Sequence, residues 1–297
     1  MNFTEYAAQI RALGRELSPE ALAATRQVIE PLIGNDFLDG VTVTRDIAYG
    51  DDARQTLDVF TAQDQQGVKP VLLFVHGGGF IAGEKHSDGS PFYSNIGAWA
   101  AKNGFAGVNM TYRLAPDHPW PSGIIDIRGA VEFIQNKGKE MGLDANNIFL
   151  MGQSAGGAHA AGYIAHPEIY AGQDCGLKGA ILLSAVYDFD AMPTTPMEEA
   201  YLGEDDSVYG ERSSINGMLK TTLPLLVTMA EYDPPKFQAQ TMQLLGEWWH
   251  SRKDEEWFPW HIYMLGQNHL SVALFLGLEG DQLAPQLKRF IEENSQG

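Results

Sequence analysis

The sequence predicts an α/β protein in one domain, built on an eight-stranded, mostly parallel sheet with helices on both faces and a helical cap. Three observations carry this reading. Short apolar runs recur along the chain, each separated from the next by a segment long enough for a crossover helix, which is the pattern of a parallel sheet. Two further strand-like runs, joined by a turn, precede them as a hairpin. No internal repeat, low-complexity tract or Gly/Ser linker divides the 297 residues, and 44% hydrophobic content supplies a sizeable core. Folding at this length hides roughly 75% of the unfolded chain's surface, so neither a metal nor disulfides are needed to hold it together.

The elements follow in order. Tyr6, Ile10, Leu13 and Leu17 recur at helical spacing, and Ser18-Pro19 reads as an N-cap with proline at the first position of a second helix reaching Ile33. From residue 41 the period changes. VTVTRDIAY and TLDVFTA flank the turn-rich GDDARQ as an antiparallel pair, and PVLLFVHG, FAGVNMTYR, NNIFLMGQS, LKGAILLSAVY, LPLLVTMAEYD and WFPWHIYML follow as strands. Helices are expected over IIDIRGAVEFIQNKGKEMG, AGGAHAAGYIAH, PPKFQAQTMQLLGEWWHSRK and APQLKRFIEEN, each with one apolar face. The stretch 190–220, with Pro193, Pro196 and a cluster of acids, is too long for an ordinary connection and reads as a lid or cap, with a structureless loop as the alternative.

Charge and cysteine content exclude several function classes. Thirty-eight acidic residues against 20 basic ones give a formal net charge of −18, a field that repels phosphate backbones and anionic headgroups, so neither nucleic acid nor membrane is an expected partner. Solubility accounts for such acidity, with a saline habitat left open. The single Cys175 cannot form an internal bridge, no Cys/His run has zinc spacing, and no stretch of 18 apolar residues or signal-peptide core occurs. The expected location is the cytoplasm. Metal and cofactor are not expected, and a homodimer is one assembly the sequence leaves open.

The strongest chemical signal is GQSAG at Gly152 to Gly156, where an apolar strand ends and a helix begins. A nucleophile elbow needs that junction, because the serine sits on a strained turn and glycines two before and two after remove side chains that would collide. Ser154 is therefore the expected nucleophile. His76-Gly77-Gly78-Gly79-Phe80 follows another strand, and its bare N–H groups, with that of Ala155, are suited to an oxyanion, each donor contributing about 2.7–4 kcal/mol. It lacks the GK[ST] ending of a phosphate loop and the GxGxxG spacing of a dinucleotide loop.

Serine needs a base, and the base an orienting carboxylate. Of eight histidines, His269 follows the last predicted strand and so stands on the carboxyl edge of the sheet. His76 belongs to the glycine loop, His118 to a turn and His250 to a helix; His86, His159, His166 and His261 have packing or surface roles. For the acid, Asp233 in AEYDPP lies farther toward that edge than Glu231, two residues earlier, and Pro234 and Pro235 turn the chain off there. The order Ser154, Asp233, His269 is that of the α/β-hydrolase fold.

With these motifs the chain resembles the hormone-sensitive-lipase-like family of bacterial α/β-hydrolase carboxylesterases. HGGGF, YRLAPDHPWP at Tyr112 to Pro121, GQSAGG, YLGEDD at Tyr201 to Asp206, EYDPP and NHLS occur in the family's order over about Thr56 to Ser271. The resemblance implies a serine esterase for short- to medium-chain esters, an oxyanion hole at Gly77, Gly78 and Ala155, and a cap from about 1–40 and 190–220. Gln153 departs from the family's usual Asp. A carbohydrate deacetylase, lactonase or peptidase would use the same triad, and a ligand-binding protein could keep the fold without turnover.

Overall fold

All eight apolar runs form strands in the computed structural model, which describes residues 1–170, 174–254 and 257–295. They are β1 (Val41–Ala48), β2 (Thr56–Ala62), β3 (Lys69–Val75), β4 (Ala106–Met110), β5 (Leu143–Gln153), β6 (Gly179–Leu183), β7 (Leu225–Tyr232) and β8 (Trp260–Asn268), in one sheet ordered β1-β2-β4-β3-β5-β6-β7-β8. The expected hairpin is present. Because β2 is antiparallel to both β1 and β4, it alone runs against the rest.

Strand alternation sends side chains into two cores. On β3, Val71, Leu73 and Val75 enter one and Leu72 and Phe74 the other; on β5, Ile148 and Leu150 oppose Phe149 and Met151 in the same way. The first core is closed by α4 (Ser122–Lys137), α5 (Ala155–Ala165), α8 (Ile215–Met218) and α9 (Pro235–Arg252). The second is closed by α1 (Phe3–Leu13), α2 (Pro19–Ile33), α3 (Ser94–Lys102), α10 (Ser271–Leu274) and α11 (Ala284–Asn294). Helix α3, SNIGAWAAK, is absent from the sequence reading: it is nine residues long, and Tyr93 at its start makes no side-chain cap bond that would mark a helix N-terminus.

The two segments expected as cap are helical. At the N-terminus, Ser18 Oγ accepts from Ala21 N–H at 3.2 Å with Pro19 in the first turn, as read. Residues 190–220 carry α6 (Pro196–Leu202), α7 (Tyr209–Arg212) and α8. Thr195 and Glu198 make a capping box for α6, so Pro196 begins a helix instead of breaking one.

Chain direction across the sheet reverses around β3: β4 lies on one side of it and β5 on the other. Ligands in open α/β sheets bind outside the carboxyl ends of strands at such a switch point. The glycine loop follows β3 and Ser154 follows β5. Among the described residues no helix is long and apolar enough to cross a membrane.

Candidate active site

The elbow is built as its glycines require. Ser154 holds φ 55° and ψ −120°, a conformation L-residues rarely adopt, between the end of β5 and the first turn of α5. A Cβ on Gly152 would collide with the Gly156 carbonyl, and one on Gly156 with the Val75 carbonyl of the neighbouring strand. Both positions are closed to any side chain.

Three sequence-predicted residues meet in one hydrogen-bonded chain. His269 Nδ1 lies 2.8 Å from Asp233 Oδ1, and His269 Nε2 lies 2.8 Å from Ser154 Oγ. Since an ionised carboxylate only accepts, Nδ1 carries the proton; the neutral ring then offers its Nε2 lone pair to the serine hydroxyl. Asp233 is fully buried, and its other oxygen accepts from Ser184 Oγ and Ala230 N–H, both at 2.7 Å. Phe237 of α9 lies against the imidazole, with ring centroids 4.0 Å apart. Glu231 is directed elsewhere: it accepts from Gly266 N–H at 2.8 Å and Tyr232 Oη at 2.9 Å, and the Gly266 bond holds its carboxyl below the usual range.

The glycine loop packs against this chain. A Cβ on Gly77 would lie 3.2 Å from Ser154 Cβ, and Gly78 and Gly79 have φ of 141° and 61°, where only glycine is unstrained. Among the described residues neither the Gly77 nor the Gly78 N–H is taken by an internal acceptor. Ala155 opens α5, so its N–H has no acceptor within the helix. Arg54 fixes the loop from behind, donating to Gly83 O at 2.7 Å and Tyr112 O at 2.8 Å. Helix α6 lies over the front: Met197 approaches Gly79, and Tyr201 stacks on Phe80 with centroids 4.5 Å apart. A Lys236–Glu198 ion pair of 2.7 Å ties α6 to α9. The N-terminal helices instead flank the end of β8 just before the base, where Tyr6 Oη donates to Gln267 at 2.6 Å and Asn268 Nδ2 to Thr25 Oγ1 at 2.8 Å.

Two hydrogen-bonding side chains here escaped the sequence reading or were left without a role in it. Ser184, at φ 47° just beyond β6, supports Asp233. Its only sequence signal is its place at the carboxyl edge beside the strand of the acid. Gln153 Nε2 donates to His269 O at 2.9 Å. Among the described residues no group of three or more His, Cys, Asp or Glu side chains is placed to hold a metal ion.

Two histidines behind the loop are buried and neutral. His76 donates from Nδ1 to Gly77 O at 2.7 Å and stacks on Tyr112, and burial pushes it down to about 4. His159 stands among Phe80, Tyr112 and Tyr201, and burial pushes it down to about 3. Between pH 6.5 and these values the unfolded chain binds protons that the folded chain refuses, so unfolding free energy falls as pH falls. Each histidine contributes stability in full above about pH 6.5. By pH 5 each has withdrawn about 2 kcal/mol of it. His159→Phe, which keeps a ring in the aromatic box, is therefore expected to lose about 2 kcal/mol less than wild type between pH 7 and pH 5 in urea titrations. Equal losses in the two proteins would contradict a buried neutral His159.

Residues 57–189 match the BD-FAE family model. Esterase LipC of Mycobacterium tuberculosis is 32% identical over 158 residues, covering 50% of this chain and 38% of LipC. The isoprenylcysteine alpha-carbonyl methylesterase ICME of Arabidopsis thaliana is 36% identical over 119 residues, covering 40% of this chain and 26% of that protein. The chain thus spans well under half the length of these curated relatives. Esterase B from Lactobacillus rhamnosis superposes with a TM-score of 0.74 at 18% identity, covering 99% of this chain and 96% of that structure. At that identity the likeness is one of fold, the α/β-hydrolase fold. The resemblance read from the motifs agrees with these similarities.

Proposed function

From this α/β-hydrolase fold and its esterase-like motif block, we propose that the protein is a serine carboxylesterase acting on short- to medium-chain esters through an acyl-enzyme. The observation that carries it is the unbroken hydrogen-bonded chain Ser154, His269, Asp233 beside two glycine N–H groups, at the switch point of the sheet, that no acceptor among the described residues takes. Ser154 Oγ attacks the ester carbonyl while His269 Nε2 takes its proton. The oxyanion rests on Gly77, Gly78 and Ala155 N–H groups, and His269 returns the proton to the departing alcohol. Water then attacks the acyl carbon, giving its proton to His269; the acid leaves and Ser154 regains its hydrogen. Asp233 keeps the imidazole in the tautomer that makes Nε2 the base. No step calls on a cofactor.

The proposal places the enzyme in the cytoplasm, in keeping with its one unpaired cysteine, with a small ester as partner and neither nucleic acid nor membrane. A panel of nitrophenyl esters of rising chain length, run with and without a serine-reactive phosphonate, tests the activity. The expected result is phosphonate-sensitive hydrolysis that is fastest on short acyl chains. Of the large apolar residues on α6, Tyr201 and Leu202 are buried and Met197 alone is exposed, so the helix offers no broad apolar face to an oil surface. Rates on triglyceride are accordingly expected to show no jump as the substrate passes its solubility limit. Interfacial activation there would overturn the esterase reading in favour of a lipase.

A further inference from the structure

Gln153 occupies the position before the nucleophile, and its neutral amide makes a contact that no ionised carboxylate could make. The side chain is 2% exposed, and Nε2 donates to the backbone carbonyl of His269, 116 residues away, at 2.9 Å. Its Oε1 faces the glycine loop, close enough that a Cβ on Gly77 would collide with it. One planar group therefore touches both the backbone of the base and the loop that faces the reacting carbonyl. We propose that Gln153 is a positioning residue, which holds His269 by its own carbonyl and leaves Asp233 as the single negative charge on the base.

Two physical requirements meet in the amide. A carbonyl oxygen must be met by a donor; Gln supplies one, whereas ionised Asp or Glu would set oxygen against oxygen. A second carboxylate near the imidazole would also favour its protonated form, in which Nε2 no longer accepts from Ser154. The groups around His269 leave room for that effect. Asp233, from the end of β7, touches Nδ1, and Ser154 touches Nε2. Tyr187, beyond β6, lies within electrostatic reach of Asp233, while Tyr6 of α1 and Glu231 of β7 bond to Gln267 and Gly266 farther back on β8. Phe237 of α9 lies against the ring face. Among the described residues Asp233 is the one carboxylate bonded to the ring.

This inference rests on the esterase reading, and the test separates the two. Gln153→Glu and Gln153→Met are compared with wild type for kcat and KM on nitrophenyl acetate, for kcat/KM against pH, and for the rate of phosphonate labelling. Both variants lose the donor, and kcat is expected to fall roughly tenfold in each with KM little changed. Gln153→Glu alone is expected to move the low-pH limb of kcat/KM upward, by about one unit. A loosened fold would lower activity at every pH without moving that limb. Values of kcat within twofold of wild type, or superimposable limbs for Gln153→Glu and wild type, would overturn the role of Gln153. If Gln153→Glu does not fold, Gln153→Met decides on kcat and labelling rate. Wild-type protein that neither hydrolyses the ester nor reacts with the phosphonate would instead sink the esterase reading itself.

Discussion

Replacing Ser154 with alanine is expected to lower turnover by roughly 10⁶, because triad members act as a unit and losing the nucleophile removes nearly all that they achieve together. The fold should survive. Among the described residues the Ser154 hydroxyl meets only His269 Nε2, so its removal leaves none of their buried carboxylates or N–H groups unsatisfied. Circular dichroism and urea midpoints close to wild type, beside nearly abolished hydrolysis of nitrophenyl acetate, are the expected pair of results. A fluorophosphonate should label Ser154 in the wild type and nothing in the variant. Ser184 is fully buried and Ser94 1% exposed, so label on either would contradict the assignment. Folded Ser154→Ala protein with full activity would do so more directly.

Asp233→Asn is expected to cost roughly 10⁴ in turnover, and the reason lies in the oxygen that does not face the histidine. Oδ2 accepts two hydrogen bonds, from Ser184 and from Ala230 N–H. An asparagine must place its carbonyl oxygen there, which turns its NH₂ toward His269 Nδ1. That nitrogen must then accept, the ring proton moves to Nε2, and the base faces Ser154 with a hydrogen in place of a lone pair. Glu231→Gln should cost tenfold at most, since a glutamine carbonyl still accepts from Gly266 N–H. The measurement is kcat for the two near-isosteric variants side by side. A crippled Glu231→Gln with an active Asp233→Asn would reassign the acid.

What could be read in the sequence was whatever leaves a local pattern. Strands β3 and β5 announce themselves as short apolar runs because both faces are covered, and Ser154 and His269 stand out because each directly follows such a run. Asp233 could be preferred over Glu231 because two prolines mark where the strand must stop. Helix α3 is only nine residues long and starts at Tyr93 without a capping side chain, so nothing local marks its beginning. The direction of β2 relative to β4 was equally hidden, since a half-turn of a strand changes no residue in it. Ser184 and Gln153 were hidden for another reason. Each acts through a partner 49 or 116 residues away, and a single polar side chain near a strand end carries no mark of what it will meet.

The order of strands across the sheet also has a consequence in time. Ser154 and His269 are 115 residues apart, and the base directly follows β8, the last in sequence of the eight strands and one of the two edges of the sheet. At cellular synthesis rates that interval is on the order of ten seconds. For those seconds a growing chain carries its serine, with β3 and β6 beside the elbow, before the base that takes its proton has been made. On the esterase reading, the serine gains its base only when β8 docks along β7, so the act that covers that side of β7 also completes the triad.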